Sequence, residues 1–350
     1  MSMKSPRRAP AFAIALALTL GVAACSSPAA SDDGGPTAGP TGTGPSARTG
    51  AAGPSDYPLT VDNCGTQVSV PAPPERILTI KSSTTEMVLA LGLGDRLVGT
   101  AFSDGPLPDD LAAAGADVPV LAEKAPSSEV VLAAAPDFVY AGWESNFSAD
   151  AAGERTSLAA LDIVTYVSPS ACQEPGYQPD PLTFDDVFAE ITEAGTLLGA
   201  PDAATALVAD QREQLTTVAA STSGLSAVWY SSGSDTPFVG GGIGAPQMLM
   251  DAVGLENIAA DVHETWASLS WEAVGAAEPD VIVLVDSVWN TAEHKIEALE
   301  SNPTTAALPA VQEGRYLVVA FPATEAGVRN VPAAVDLAGQ LTELEATLGR

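Results

Sequence analysis

The sequence predicts an α/β protein built as two three-layer lobes joined by a single long backbone helix. Three observations carry this expectation. Short apolar strands alternate with helices on both sides of residues 181–220, the pattern of mainly parallel sheets covered on both faces. Residues 181–220 themselves read as helix, with one break. Residues 126–137 and 269–280 share Ser-x-Glu-x-Val-x-Ala-Ala-x-Pro-Asp, each followed by an apolar strand, so the two halves are of like construction. Two such lobes facing each other form a cleft at the carboxyl ends of their strands.

The bulk composition narrows the function. With 350 residues and 46% hydrophobic content, the chain can bury one or two substantial cores. Its net charge of -30 excludes nucleic acid and anionic membrane surfaces, which need clustered Lys and Arg. Four of the 14 basic residues (Lys4, Arg7, Arg8, Arg48) precede the folded part, so any cation aimed at a cleft is informative.

Residues 1–25 read as an export signal. Lys4, Arg7 and Arg8 precede an apolar run over 11–24 that is too short to span a membrane. Val22-Ala23-Ala24-Cys25 resembles a bacterial lipobox, in which the Cys becomes the lipidated N-terminus; a plain signal peptide with a chance Cys is the alternative. The mature protein is then expected outside the cytoplasm, held to the outer face of the cell membrane through lipid on Cys25. Residues 26–56 lack large apolar side chains and read as a disordered tether.

The first lobe is read over 57–180. Alternating residues over 57–70, around Asn63-Cys64-Gly65, suggest an edge hairpin. In an exported chain Cys64 and Cys172 are expected to pair, tying that hairpin to the far end of the lobe; two free thiols are the alternative. Strands are expected at 77–80, 97–99, 118–121, 139–141 and 163–167, with helices at 86–91, 128–135 and 150–161. Polar loops at 81–84 and 102–105 follow the first two strands.

The spine is read over 181–223. Thr183 and Asp186 form a capping box, Gly199 ends the first helical segment, and Pro201 opens the second. The second lobe, 224–350, repeats the grammar: strands at 227–230, 281–285 and 316–320, and helices at 246–253, 290–299 and 331–344.

Several stretches in order resemble a known family: Pro74-Glu-Arg-Ile-Leu, Thr85-Glu-Met-Val-Leu-Ala-Leu-Gly92, Val98-Gly99, and the helix-strand motif around Pro136-Asp137. With the export signal and tether, they are similar to the class III solute-binding proteins that serve ABC importers of iron-siderophores, haem and cobalamin. The resemblance implies the class III periplasmic-binding-protein fold, a monomer, no catalysis, no cofactor, and an ABC permease with its ATPase as partners. By motif position, Glu129 and Glu272 would dock onto basic residues of that permease; two solvated carboxylates favoured by their helix dipoles are the alternative. Trp271, beside Glu272, would pack at the same contact. More narrowly, 79–86, 141–146, 229–238, 289–295 and 321–330 look similar to an actinobacterial subgroup proposed to import the phospholactyl precursor of a deazaflavin coenzyme.

Candidate ligand residues follow from strand-end positions. A planar fused ring wants aromatic walls, and loops at strand ends carry Phe102, Trp143 and Trp289, with Trp266 just before the second echo motif. A phosphodiester with a carboxylate wants cations and hydroxyls: Lys81 and Arg329, with Ser82, Ser83, Ser231 and Ser232. Ordinary surface roles are the alternative for both cations, and Trp229, within a strand, reads as core. Only His263 and His294 are present as histidines, too few for a His-clustered metal site. No nucleophile elbow, His-Glu-x-x-His, Cys-x-x-Cys or phosphate-loop motif is present, so an exported enzyme is the weaker reading. A siderophore, haem or cobalamin binder is the alternative to the deazaflavin ligand.

Overall fold

The computed structural model describes residues 56–178 and 180–349; the export signal, Cys25 and 26–55 lie outside the described residues. The first half runs β1 (Leu59–Asn63), β2 (Thr66–Val70), β3 (Ile77–Ile80), α1 (Ser82–Ala90), β4 (Leu97–Ala101), α2 (Asp109–Gly115), β5 (Val120–Ala122), α3 (Ser128–Ala134), β6 (Phe138–Ala141), α4 (Arg155–Ala159) and β7 (Val164–Val167). Two helices follow, α5 (Phe184–Leu197) and α6 (Pro201–Leu215). The second half runs β8 (Ser226–Ser232), β9 (Phe238–Gly240), α7 (Ala245–Val253), β10 (Glu256–Asn257), β11 (Trp266–Ser268), α8 (Trp271–Ala277), β12 (Val281–Asp286), α9 (Ala292–Ser301), α10 (Pro309–Gln312), β13 (Tyr316–Ala320) and α11 (Asn330–Leu348).

Two α/β lobes result. The first holds a five-stranded sheet in the order β5-β4-β3-β6-β7, parallel throughout. β3 and β6 are buried on both faces, which is why they read as unbroken apolar runs. The β1–β2 hairpin lies apart from this sheet and is fastened to it by side chains. Asn63 accepts from the Val167 amide at 2.9 Å and donates to the Val167 carbonyl at 2.8 Å, and Cys64 is disulfide-bonded to Cys172.

The second sheet runs β11-β9-β8-β12-β13, with β10 beside the start of β8. β8, β10, β12 and β13 are parallel, whereas β9 runs antiparallel to both of its neighbours, β8 and β11; β9 and β11 are two short strands the sequence pattern had not suggested. The glycines after β9 let this stretch lie against the backbone of residues 260–264, which leads into β11. A Cβ on Gly241 or Gly242 would sit 2.2 Å from the Glu264 carbonyl oxygen or 2.0 Å from that of Ala260, so only glycine lets these backbones meet.

The spine corrects the expectation of one long helix. α5 and α6 fold back on each other, with Asp185 near the start of α5 paired to Arg212 near the end of α6 at 2.7 Å. Thr183 and Asp186 form the capping box that starts α5, and Pro201 starts α6. A glycine permits the close approach: a Cβ on Gly195 would lie 2.3 Å from the Ala204 Cβ. Both helices run between the lobes. Leu182, entering α5, bonds the Ile243 carbonyl of the second lobe at 2.9 Å, while the Leu198 carbonyl at its far end takes Arg96 of the first at 2.9 Å.

Other boundaries also moved. The helix expected over 150–161 is only α4, because Gly153 at φ +104° interrupts the run. α1 starts at Ser82, so three residues of the expected polar loop are its first turn.

The internal echo is structural. α3 and α8 follow Ser127 and Ser270 at equivalent positions and end in left-handed residues, Ala135 at φ 48° and Glu278 at φ 44°. Each Pro-Asp then anchors the start of the central strand of its sheet, β3 or β8. Asp137 accepts from the Glu75 and Arg76 amides at 2.9 and 3.0 Å, and Asp280 accepts from the Ser226 amide and hydroxyl at 3.0 and 3.1 Å. This shared task accounts for the repeated Asp.

Candidate functional site

Between the carboxyl ends of the two sheets lies a cavity of about 520 Å³. The loops after β6 and β7 contribute Trp143, Glu144, Ser168 and Ser170 from the first lobe. From the second come Ser231 and Ser232 at the end of β8, Trp266 of β11, Trp289 after β12, and Phe321 with 324–326 after β13. Five aromatic rings reach it. Phe238 stacks on Trp266 at 5.8 Å with 16° between planes, and Trp289 meets Phe321 edge-on at 5.5 Å. Trp143 is the fifth. Trp289 is 52% exposed, at the mouth.

Of the candidate ligand residues, Ser83, Trp143, Ser231, Ser232, Trp266 and Trp289 line this cavity, and Lys81, Ser82, Phe102 and Arg329 do not. Lys81 is fully buried behind the wall. Its ammonium is ion-paired with Asp104, 3.9 Å from Glu325, and 3.7, 4.5 and 4.8 Å from the ring centroids of Trp143, Phe102 and Phe321. Its placement follows from the strand-to-helix corner: Lys81 takes φ 89°, a costly backbone for a non-glycine residue. Gly142 leaves it room, since a Cβ there would lie 2.8 Å from the Lys81 Cβ. Ser82 is turned to Asp104, its hydroxyl accepting from that residue's amide at 2.8 Å.

Arg329 is likewise engaged. Its guanidinium grips Glu86 of α1 and donates to the Pro106 carbonyl at 2.7 Å, lining a second cavity of about 260 Å³ instead. Trp271 is buried, with its indole nitrogen donating to the Ser234 carbonyl at 2.7 Å, so it is core and not contact surface. Trp229 is core as well. Glu129 and Glu272 are both exposed in the first turns of α3 and α8.

Sequence reasoning missed the residue that organises the cavity floor. Glu325 accepts from the Trp143 indole and, at 3.0 Å, from the Ser83 hydroxyl, joining the lobes beneath the cleft. Burial raises its pKa to about 7, against the lowering pull of Lys81. Burial likewise raises Asp104. Glu190 of α5, bonded to the Ser170 amide at 2.7 Å under the wall, is also raised to about 7 by burial. Glu325 stood inside the 321–330 stretch, but no spacing marked it. Among the described residues, no group of three or more His, Cys, Asp or Glu could hold a metal, and no helix is long and apolar enough to cross a membrane.

Comparison with known proteins places this geometry. Residues 77–321 match the family model described as periplasmic binding protein. An uncharacterized ABC transporter substrate-binding lipoprotein of Bacillus subtilis is 26% identical over 299 residues, 81% of this chain and 85% of that protein. A vitamin B12-binding protein of Yersinia pestis is 27% identical over 213 residues, 60% of this chain and 69% of its own length. Among solved structures, an ABC-type Fe3+-hydroxamate transport system protein from Saccharomonospora viridis superposes with a TM-score of 0.70 at 28% identity, covering 82% of this chain and 99% of that one. A periplasmic binding protein from Veillonella parvula gives the same TM-score of 0.70 and 28% identity, covering 81% of this chain and 97% of its own.

Proposed function

The chain belongs to the periplasmic binding protein family, as a substrate-binding component of an ABC importer of the siderophore, haem and vitamin B12 type, and from that premise we propose how it works. It captures a small organic cargo in the cleft between its lobes and presents it, unaltered, to the permease. The cavity lined from both sheets' carboxyl ends carries this reading. Glu129 and Glu272, exposed at matching positions of the two lobes, would contact the permease. The lipid anchor at Cys25, the tether over 26–56 and a monomeric state complete the proposal.

For the cargo, a metal complex of the siderophore, haem or cobalamin class is the favoured reading, in keeping with the Fe3+-hydroxamate and vitamin B12 named for two relatives. The deazaflavin phospholactate reading has the aromatic walls in its favour. Against it, no Lys, Arg or His is among the cavity's described lining residues, so a phosphodiester would find no countercharge.

Tryptophan fluorescence tests this. Titration with a ferric trihydroxamate, haem, cyanocobalamin and the deazaflavin phospholactate should show saturable quenching by one of the first three, with the cargo recovered unchanged. Quenching by the fourth alone would replace the cargo class. Chemical turnover of any of them would overturn the importer reading.

A further inference from the structure

Resting on the reading of the cleft as the cargo site, we infer that it selects cationic over anionic members of its cargo class. The described lining residues include three carboxylates, Glu144, Glu264 and Glu325, and no basic side chain. Lys81, ion-paired with Asp104, also lies 3.9 Å from Glu325, Arg155 faces Glu144 from outside the cavity, and Arg329 is held by Glu86, which leaves Glu264 with no counter-cation among the described residues. The field in the cleft is therefore negative, and low-dielectric walls concentrate it.

Two of these carboxylates have unused acceptor capacity. Glu264, exposed, makes no side-chain hydrogen bond or ion pair among the described residues, and Glu144 accepts one bond, from the Gln173 amide at 2.6 Å. The aromatic walls favour the same sign, because ring faces attract cations. Two of the cavity's own rings already do so. Trp143 and Phe321 lie 3.7 and 4.8 Å from the buried Lys81 ammonium. An anionic group entering this space would lose its water and meet like charge without a counter-ion.

The experiment uses the full-length chain and three matched probe pairs: a ferric trihydroxamate, a metalloporphyrin and a cobalamin, each carrying either an ammonium or a carboxylate on one pendant arm. Tryptophan quenching should show the ammonium member binding tighter by about tenfold or more. Glu264→Gln should narrow that gap and Glu264→Lys should close or invert it. Glu297→Gln, an exposed acid on the outer helix α9, should leave it unchanged.

Parity, or preference for the carboxylate member, overturns the charge inference and leaves the importer reading standing. A gap narrowed equally by Glu297→Gln traces the preference to net charge and overturns its assignment to the cleft. Quenching by no pair overturns both the inference and the reading beneath it.

Discussion

Arg329 and Glu86 form a fork-to-fork ion pair across the lobes, with Nε to Oε2 and Nη2 to Oε1 both at 2.5 Å. Glu86 is buried in α1, whereas Arg329 stands at the start of α11. A bidentate pair of this kind is strong because both charges are hydrogen-bonded and geometrically fixed. Removing one partner leaves the other buried and uncompensated. Arg329→Ala should therefore lower stability by about 3 kcal/mol, read as a drop in the denaturation midpoint. An unchanged midpoint would show that the pair does not hold the lobes.

Stability should depend on pH through buried carboxyls, Glu325 and Glu190 among them. Burial raises Glu325 and Glu190 to about 7, above their unfolded value near 4.5. The folded state thus binds these protons more tightly than the unfolded one. Their contribution is fully present below about pH 4.5 and is lost as pH rises through about 7. Lys295, lowered to about 8 by burial, changes the balance only above that range. Melting temperature should accordingly rise as pH falls from about 8 to about 5, and Glu325→Gln and Glu190→Gln should each flatten the slope. A slope left intact in both variants would sink this assignment.

Trp289 and Trp143 should separate binding from stability. Trp289 is half exposed at the mouth, so Trp289→Ala should weaken cargo binding by about tenfold or more while leaving the melting temperature within a degree or two. Trp143 also covers the Lys81 ammonium and bonds Glu325. Trp143→Ala should lower both quantities. Equal thermal losses in the two variants would contradict the distinction.

Glu129→Lys and Glu272→Lys should reduce cargo uptake by cells while leaving affinity in solution intact, since both residues are exposed and neither lines the cavity. Loss of affinity in either variant would refute the docking role.

The helix hairpin of the spine predicts a steric effect. Because a Cβ at position 195 would come within 2.3 Å of the Ala204 Cβ, Gly195→Ala must push α5 and α6 apart, costing about 1–3 kcal/mol. An unaltered denaturation midpoint would show that the hairpin tolerates separation.

How much of this was legible in the sequence depends on the range of the interaction. Unbroken apolar runs such as 281–285 and the Thr183–Asp186 capping box are local signals, and both elements formed where expected. β9 and β11 are three residues each and pair across an intervening helix, α7, which leaves too little local periodicity to read. In the site, strand-end positions put Trp143 and Trp289 at the cavity, because topology alone sends such loops to the cleft. Lys81 and Arg329 were misjudged for the opposite reason. Their partners, Asp104 and Glu86, are brought to them by tertiary packing, and no spacing along the chain announces an ion pair between Glu86 and a residue 243 positions away.

The loop over 321–330, pinned to the first lobe through Glu325 and Arg329, is a third crossing beside α5 and α6. Any hinge opening of the two halves must therefore break the bonds of Glu325 to Ser83 and Trp143 and the grip of Arg329 on Glu86.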